Sequence, residues 1–187
     1  MSTQNTELLR PESTTLIVID VQEKLLPAIW EKERVLGNLA KLLHLARILK
    51  LKTLPTTQNQ RGLGATVPEV AGLLPESPLD KMSFGCMGDS EFGARLASVA
   101  APGDALLVAG IETHICVTQT VLGALGAGYR VHVASDATSS RSERNFELGL
   151  ERMRAAGAVI SSTEMAIYEL LGRADRAEFK QMLPYLK

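Results

Sequence analysis

The sequence predicts an α/β fold, a three-layer α-β-α sandwich around a six-stranded parallel sheet. Three observations carry this. Short apolar or β-branched runs alternate with longer segments of helical spacing along the whole chain, the pattern of a parallel sheet covered on both faces. The most apolar runs, residues 14–20 and 105–109, lack the in–out alternation of half-exposed strands. The chain has 187 residues, 45% hydrophobic and 22% charged, enough for one well-packed core.

Taken in order, residues 1–13 form a polar arm expected to be loosely held, and residues 14–187 a single domain. TTLIVID, residues 14–20, is the first strand; it ends on Asp20, and residues 21–24 lead away in a loop. Residues 33–51 place Val35, Leu36, Leu39, Leu42, Leu43, Ala46, Ile48 and Leu49 on one helical face. Residues 52–57 form the second strand. Residues 58–74 form a Gly- and Pro-containing loop with one short helix, and residues 78–82 a third strand carrying Lys81. Asp89 or Ser90 caps a helix to Ala100. Pro102-Gly103-Asp104 is turn chemistry. Residues 105–109 are the fourth strand. The chain breaks at Gly110 and starts a helix at Cys116 that runs to Ala127. Residues 129–134 are the fifth strand. Ser140-x-x-Glu143 reads as a capping box opening a helix to Ala156, which Gly157 ends. Residues 158–161 are the sixth strand, and residues 163–171 and 175–183 are closing helices. In the doubly wound order 3-2-1-4-5-6, the crevice lies beyond the carboxyl ends of strands one and four. Asp20 and the loop to Cys116 emerge there, and Lys81 follows the third strand on the same sheet edge.

A net charge of -1 gives no reason to expect nucleic acid or a membrane as partner. Two cysteines, Cys86 and Cys116, make no disulfide framework and point to a reducing, cytoplasmic compartment. The start, MSTQNTELLRPEST, has no apolar core of a signal peptide, and no apolar run is long enough to cross a bilayer. Gly62-Leu63-Gly64 and Gly123-x-x-Gly126-x-Gly128 do not form a dinucleotide fingerprint, so no cofactor is expected.

A thiol at the start of a helix sits among unsatisfied backbone N–H groups, at the positive end of the helix dipole. Both favour the reactive thiolate, and the same N–H groups suit an oxyanion. The competing reading of Cys116 is a small buried hydrophobe. Asp20 and Lys81 weigh against that reading. Asp20 is placed to accept the thiol proton and return it to a leaving group. A charged Lys81 would hold Asp20 ionised and draw the thiol towards thiolate. The N–H groups of Glu112 and Cys116 are the oxyanion candidates. The implied reaction is acyl transfer to the thiol, loss of ammonia or an amine, and hydrolysis of the thioester.

Three motifs, each at a strand end, then carry a resemblance: LIVIDVQ (16–22), DKMSF (80–84) and GIETHICV (110–117), continuing through VHVASDATSSRS (131–142). The chain resembles the isochorismatase-like cysteine hydrolases, a Rossmann-like α/β family, over nearly its whole length. The resemblance matches Asp20 to the family's general base, Lys81 to its lysine and Cys116 to its nucleophile. It implies a cis non-proline peptide between Ile111 and Glu112 that aims the Glu112 N–H at the oxyanion. It also implies a homo-oligomer, a dimer or larger, in which the apolar segment 165–186 either contributes an interface or caps the core. One departure is informative. The nicotinamidase branch carries an Asp-x-His metal motif after the second strand, where this chain reads TTQNQRGLG (56–64). Asn and Gln amides are poor zinc ligands, so no metal is expected. The loop QNQRGLGATVPE (58–69) is closer to the isochorismatase-domain-containing subgroup.

The expectation is thus a metal-independent cysteine hydrolase of a small amide or related carbonyl compound. Two alternatives stand beside it: vinyl-ether hydrolysis of the isochorismatase type by acid catalysis at Asp20, and a non-enzymatic oligomeric binding protein. Trp30, Phe84 and Ile115 are candidate pocket walls, with core packing as the alternative, and Gln22 and Gln58 candidate substrate contacts. His114 is expected to line the loop or pocket rather than to pair with the thiol, because its spacing suits mutual orientation poorly. Cys86 is either a pocket-entrance residue or a structural thiol. His44 and His132 are packing or surface residues.

Overall fold

The alternating runs fold into one parallel sheet in a computed structural model that describes residues 7–186. The strands are β1 (Thr14–Ile19), β2 (Lys52–Gln58), β3 (Leu79–Lys81), β4 (Ala105–Ile111), β5 (Arg130–Ser139) and β6 (Val159–Ser161). They pair in the order β3-β2-β1-β4-β5-β6, every pair parallel. The predicted fold class and strand order both hold. β1 and β4 lie side by side at the point where the order reverses, so their carboxyl ends open the crevice that such a sheet provides.

Strand alternation divides the core into two layers. Leu16 and Val18 of β1 join Leu107 and Ala109 of β4 on one face. That face packs on α1 (Lys32–Leu49) through Val35, Leu39 and Leu42, and on α7 (Thr163–Leu171) through Ile167 and Leu170. Ile17, Ile19, Leu106, Val108 and Val133 face the other way. They meet Phe92 and Leu96 of α4 (Ser90–Val99), Val121 of α5 (Thr118–Gly126) and Met153 of α6 (Glu143–Ala155). Each such aliphatic side chain contributes roughly 1.5–3 kcal/mol by leaving water.

Several local expectations are corrected. Of the polar arm, residues 1–6 lie outside the described residues, and residues 7–13 are tied down. Leu9 is buried, its N–H donates to the Glu169 carboxylate at 3.0 Å, and Glu7 pairs with Arg130 at 2.9 Å. One apolar side chain in a polar stretch suffices to dock it. The loop after β2 holds two short helices, α2 (Gln60–Leu63) and α3 (Pro68–Ala71). β5 runs five residues past the predicted end, to Ser139. Its register against β4 shifts between Val108 and Gly110, so Thr138 and Ser139 pair with Gly110 and Ile111. Three extra β5 residues bulge out there. Ser142, not Ser140, caps α6, through the Asn145 N–H. Asp89 caps α4, accepting from the N–H groups of Glu91 and Phe92.

The C-terminal segment docks on α1. A helix at Ala177–Met182, α8, buries Met182, and Tyr185 stacks on His44 with ring centroids 3.8 Å apart. The segment thus caps the core, while Met165, Tyr168 and Leu183 stay exposed. Among the described residues, no helix is long and apolar enough to cross a membrane.

Candidate active site

β1 stops at Ile19 and Asp20 turns out of the sheet in the left-handed region, with φ of 53°. Thr56 of β2 holds it from both ends. The Asp20 N–H donates to Thr56 O at 3.2 Å, and the Thr56 hydroxyl donates to Asp20 Oδ1 at 2.8 Å. The other carboxylate oxygen, Oδ2, accepts from Lys81 Nζ at 2.7 Å. Both side chains of this ion pair have zero exposure.

Lys81 closes β3, so the sheet delivers it beside Asp20. Its Nζ has four acceptors: Asp20 Oδ2, Gln58 Oε1 at 3.1 Å, Ser83 O at 3.3 Å and Phe84 O at 3.1 Å. All are oxygens and none is a donor, which suits an ammonium. Burying two charges is costly unless further hydrogen bonds satisfy them; here Thr56, Gln58 and two loop carbonyls do so.

Cys116 arrives differently from the expected helix start. β4 ends at Ile111, the Ile111–Glu112 peptide bond is cis, and a π turn spans Thr113–Val117 before α5 begins. Glu112 O accepts from the N–H of Ile115 at 3.0 Å and of Val117 at 3.2 Å. Cys116 sits between those two donors, on a turn tucked under α6. The Thr120 hydroxyl donates to Cys116 O at 2.7 Å and accepts the Cys86 N–H at 2.9 Å, coupling the Cys116 turn to the loop after β3.

The electrostatics also correct an expectation. Burial, then the negative charge of Asp20, push the Cys116 thiol up to about 12, against the opposing pull of Lys81. Desolvation outweighs any gain from the turn's N–H groups, because Cys116 is only 6% exposed. The resting group is therefore a thiol held un-ionised by burial and by the neighbouring Asp20 carboxylate. Burial likewise pushes Cys86 up to about 11.

The remaining candidates separate. Gln22 and Gln58 are not free to meet a substrate. Gln22 Nε2 donates to Gln58 O and Gly64 O, and its Oε1 accepts the Gln58 N–H. Gln58 spends its amide on Lys81 and on Met82 O. Both brace the loops instead. Phe84 exposes its ring (57%) while its carbonyl holds Lys81. Trp30 is half-buried, pinned through its backbone to Ser140 O and the Ser139 hydroxyl, with its ring 5.6 Å from that of Phe146. Ile115 packs against the α4/α5 layer. His114 Nδ1 lies 2.9 Å from the Ser140 hydroxyl, so it is a rim residue. Cys86 is fully buried beside Thr56, as a structural thiol is. Sequence reasoning missed Thr56, Thr120 and Arg141. The Arg141 N–H and Nε donate to the buried Glu112 carboxylate at 3.1 and 3.0 Å. The SSRS run that carries Arg141 was the available signal.

Asp20, Lys81 and Cys116 thus meet from three strand ends, and an acid–base pair faces a thiol. Comparison with known proteins agrees with this architecture. The isochorismatase domain model matches residues 14–165. The secreted isochorismatase effector Isc1 of Phytophthora sojae is 37% identical, covering 96% of this chain and 87% of its own length. Isochorismatase domain-containing protein 2 of Danio rerio is 35% identical over 93% of this chain and 87% of its own. The solved structure of the MAR1 ribonuclease of Caenorhabditis elegans superposes with a TM-score of 0.89 at 32% identity, covering 96% of this chain and 92% of that one.

Proposed function

The chain belongs to the isochorismatase family of hydrolases, in its domain-containing subgroup, and from that premise we propose that it is a metal-independent cysteine hydrolase of a small amide or related carbonyl compound. The observation that carries this is the Cys116 thiol facing the Asp20 carboxylate, which Lys81 clamps at 2.7 Å.

With its pKa near 12, the thiol is not ionised at rest, so Asp20 takes its proton as sulfur attacks the carbonyl carbon. The carbonyl oxygen becomes an oxyanion, held by the N–H of Glu112 and of Cys116. Asp20 returns the proton to the departing nitrogen, the C–N bond breaks, and a thioester with ammonia or an amine results. A water then attacks the thioester, again losing its proton to Asp20, and free acid and thiol are restored. Lys81 keeps a compensating charge beside Asp20 throughout.

Vinyl-ether hydrolysis with Asp20 as acid would need no thiol. The buried thiol beside Asp20 favours acyl transfer. The worm protein is named a ribonuclease; a net charge of -1 argues against RNA here. The test is a screen of small amides, isochorismate and a short RNA with the native protein and Cys116→Ala. Turnover of an amide by the native protein alone supports the reading. Full turnover of isochorismate or RNA by Cys116→Ala overturns it.

We also propose a homo-oligomer, because Met165, Tyr168 and Leu183 leave apolar surface exposed on the C-terminal segment; light scattering would report a monomer if this is wrong. Free thiols at Cys86 and Cys116 suit a cytoplasmic protein, which fractionation checks.

A further inference from the structure

Asp20 follows the last residue of β1 and has φ of 53°, a left-handed conformation that is uncommon outside glycine and that Asp adopts more readily than most side chains. Left to itself, such a residue at a strand end has a free choice of side-chain rotamer. Here Thr56 and Lys81 together remove the choice. Thr56 is opposite Ile19 in the β1/β2 register and is 2% exposed. Its carbonyl takes the Asp20 N–H at 3.2 Å, and its hydroxyl donates to Asp20 Oδ1 at 2.8 Å. With Oδ1 fixed, Oδ2 is left for Lys81.

A hydroxyl can point its proton either way, so its direction needs a cause. Cys86 Sγ lies 3.9 Å from Thr56 Oγ1. Burial keeps Cys86 an S–H group up to about 11. A protonated thiol supplies a donor to Thr56, and the Thr56 proton is then directed at Asp20. The chain Cys86, Thr56, Asp20 polarises towards the carboxylate.

We propose that Thr56 is a positioning residue for the reaction, aiming Asp20 at the thiol and holding the carboxylate ready to accept its proton. This rests on the cysteine-hydrolase reading above. Thr56 carries no charge, and the ionisable groups that face Asp20 from the surrounding elements, Lys81, Cys86 and Cys116, remain when it is replaced.

The experiment is the pH dependence of Cys116 alkylation by iodoacetamide, followed by intact mass on the full chain, which needs no substrate. Reaction requires the carboxylate free to take the thiol proton, so the rate falls on an acid limb. In Thr56→Val, a near-isosteric change, that limb moves to higher pH by about one unit, the value of one hydrogen bond to a charged group. Thr56→Ser restores the native midpoint. Should Thr56→Val fail to fold, Thr56→Ala carries the same expectation. A merely structural role lowers the rate at every pH and leaves the midpoint where it was. An unmoved midpoint in a folded Thr56→Val or Thr56→Ala therefore overturns the inference while leaving Cys116 reactive. A native Cys116 that does not react at any pH overturns the cysteine-hydrolase reading itself.

Discussion

Gly110 lies against Ile19 so closely that a Cβ built on it would stand 2.1 Å from Ile19 O and 2.6 Å from Ile19 N. The two residues are register partners where β1 and β4 end. This contact sets how the two carboxyl ends meet, because Asp20 follows Ile19 and the turn to Cys116 follows Gly110. Gly110 also has φ of 117°, where a side chain is strained whatever the space.

Gly110→Ala is expected to destabilise the protein by more than about 3 kcal/mol, since backbone strain and overlap with unyielding backbone add. Gly93→Ala is the control. Gly93 lies inside α4 with nothing within 4 Å of a built Cβ, so it should gain roughly 0.5–1 kcal/mol from helix propensity. Urea unfolding of both variants measures this. Equal stabilities for the two would show that the Gly110 contact is unimportant.

Stability should fall in alkali through the two buried thiols. Both have folded-state pKa values raised from 9.0, to about 11 for Cys86 and about 12 for Cys116. A group raised in this way contributes fully below its unfolded value, and the contribution is lost as pH rises towards the folded value, because the unfolded chain releases the proton first. The window is therefore about pH 9 to 12. At about pH 10 each thiol accounts for about 1.4 kcal/mol of lost stability. Lysines and tyrosines titrate there too, so the informative quantity is a difference. Between neutral pH and about pH 10, Cys86→Ala should lose about 1.4 kcal/mol less than the native protein does. Parallel curves would refute the assignment.

That pH behaviour marks where sequence reading stopped. Asp20, Lys81 and Cys116 were legible because each is a polar or reactive residue at the end of an apolar run, and the sheet order brings such ends together. The thiol's ionisation was not, because it depends on burial and on Asp20, residues far away in the chain. The π turn around Cys116 was hidden for a similar reason: its bonds to Glu112 O leave no local pattern. β5 read as ending at Ala134 because SDATSS is polar, yet Thr138 and Ser139 are paired and buried against Gly110 and Ile111. Gln22 and Gln58 looked free because their partners are backbone groups of distant loops.

Glu112 and Arg141 should respond unequally to truncation. Arg141 is 60% exposed at its side chain, so Arg141→Ala should cost under about 1 kcal/mol. Glu112→Ala removes the acceptor of the Arg141 N–H and should cost about 1–3 kcal/mol, the penalty of an unsatisfied donor. Thermal unfolding of the two variants ranks them. The opposite ranking would mean that the exposed guanidinium, not the buried carboxylate, organises this rim.

The Lys81–Asp20 pair offers the sharpest energetic test. Lys81→Met leaves a carboxylate with zero side-chain exposure and no counter-charge, and breaking one side of a buried pair costs roughly 3–5 kcal/mol. Four acceptors around Nζ lose their donor at the same time. Asp20→Asn removes the opposing charge while keeping the shape, and it strands the ammonium in turn. In the double variant neither charge remains, so its cost should fall short of the sum of the single costs by about 0.5–3 kcal/mol. Urea unfolding of the four proteins closes the cycle. Turnover should vanish in all three variants, because Asp20→Asn has no proton acceptor and Lys81→Met loses the charge that holds it. Additive stabilities would mean that the two side chains, although 2.7 Å apart, do not depend on each other, and that Lys81 is held by its carbonyl cage alone.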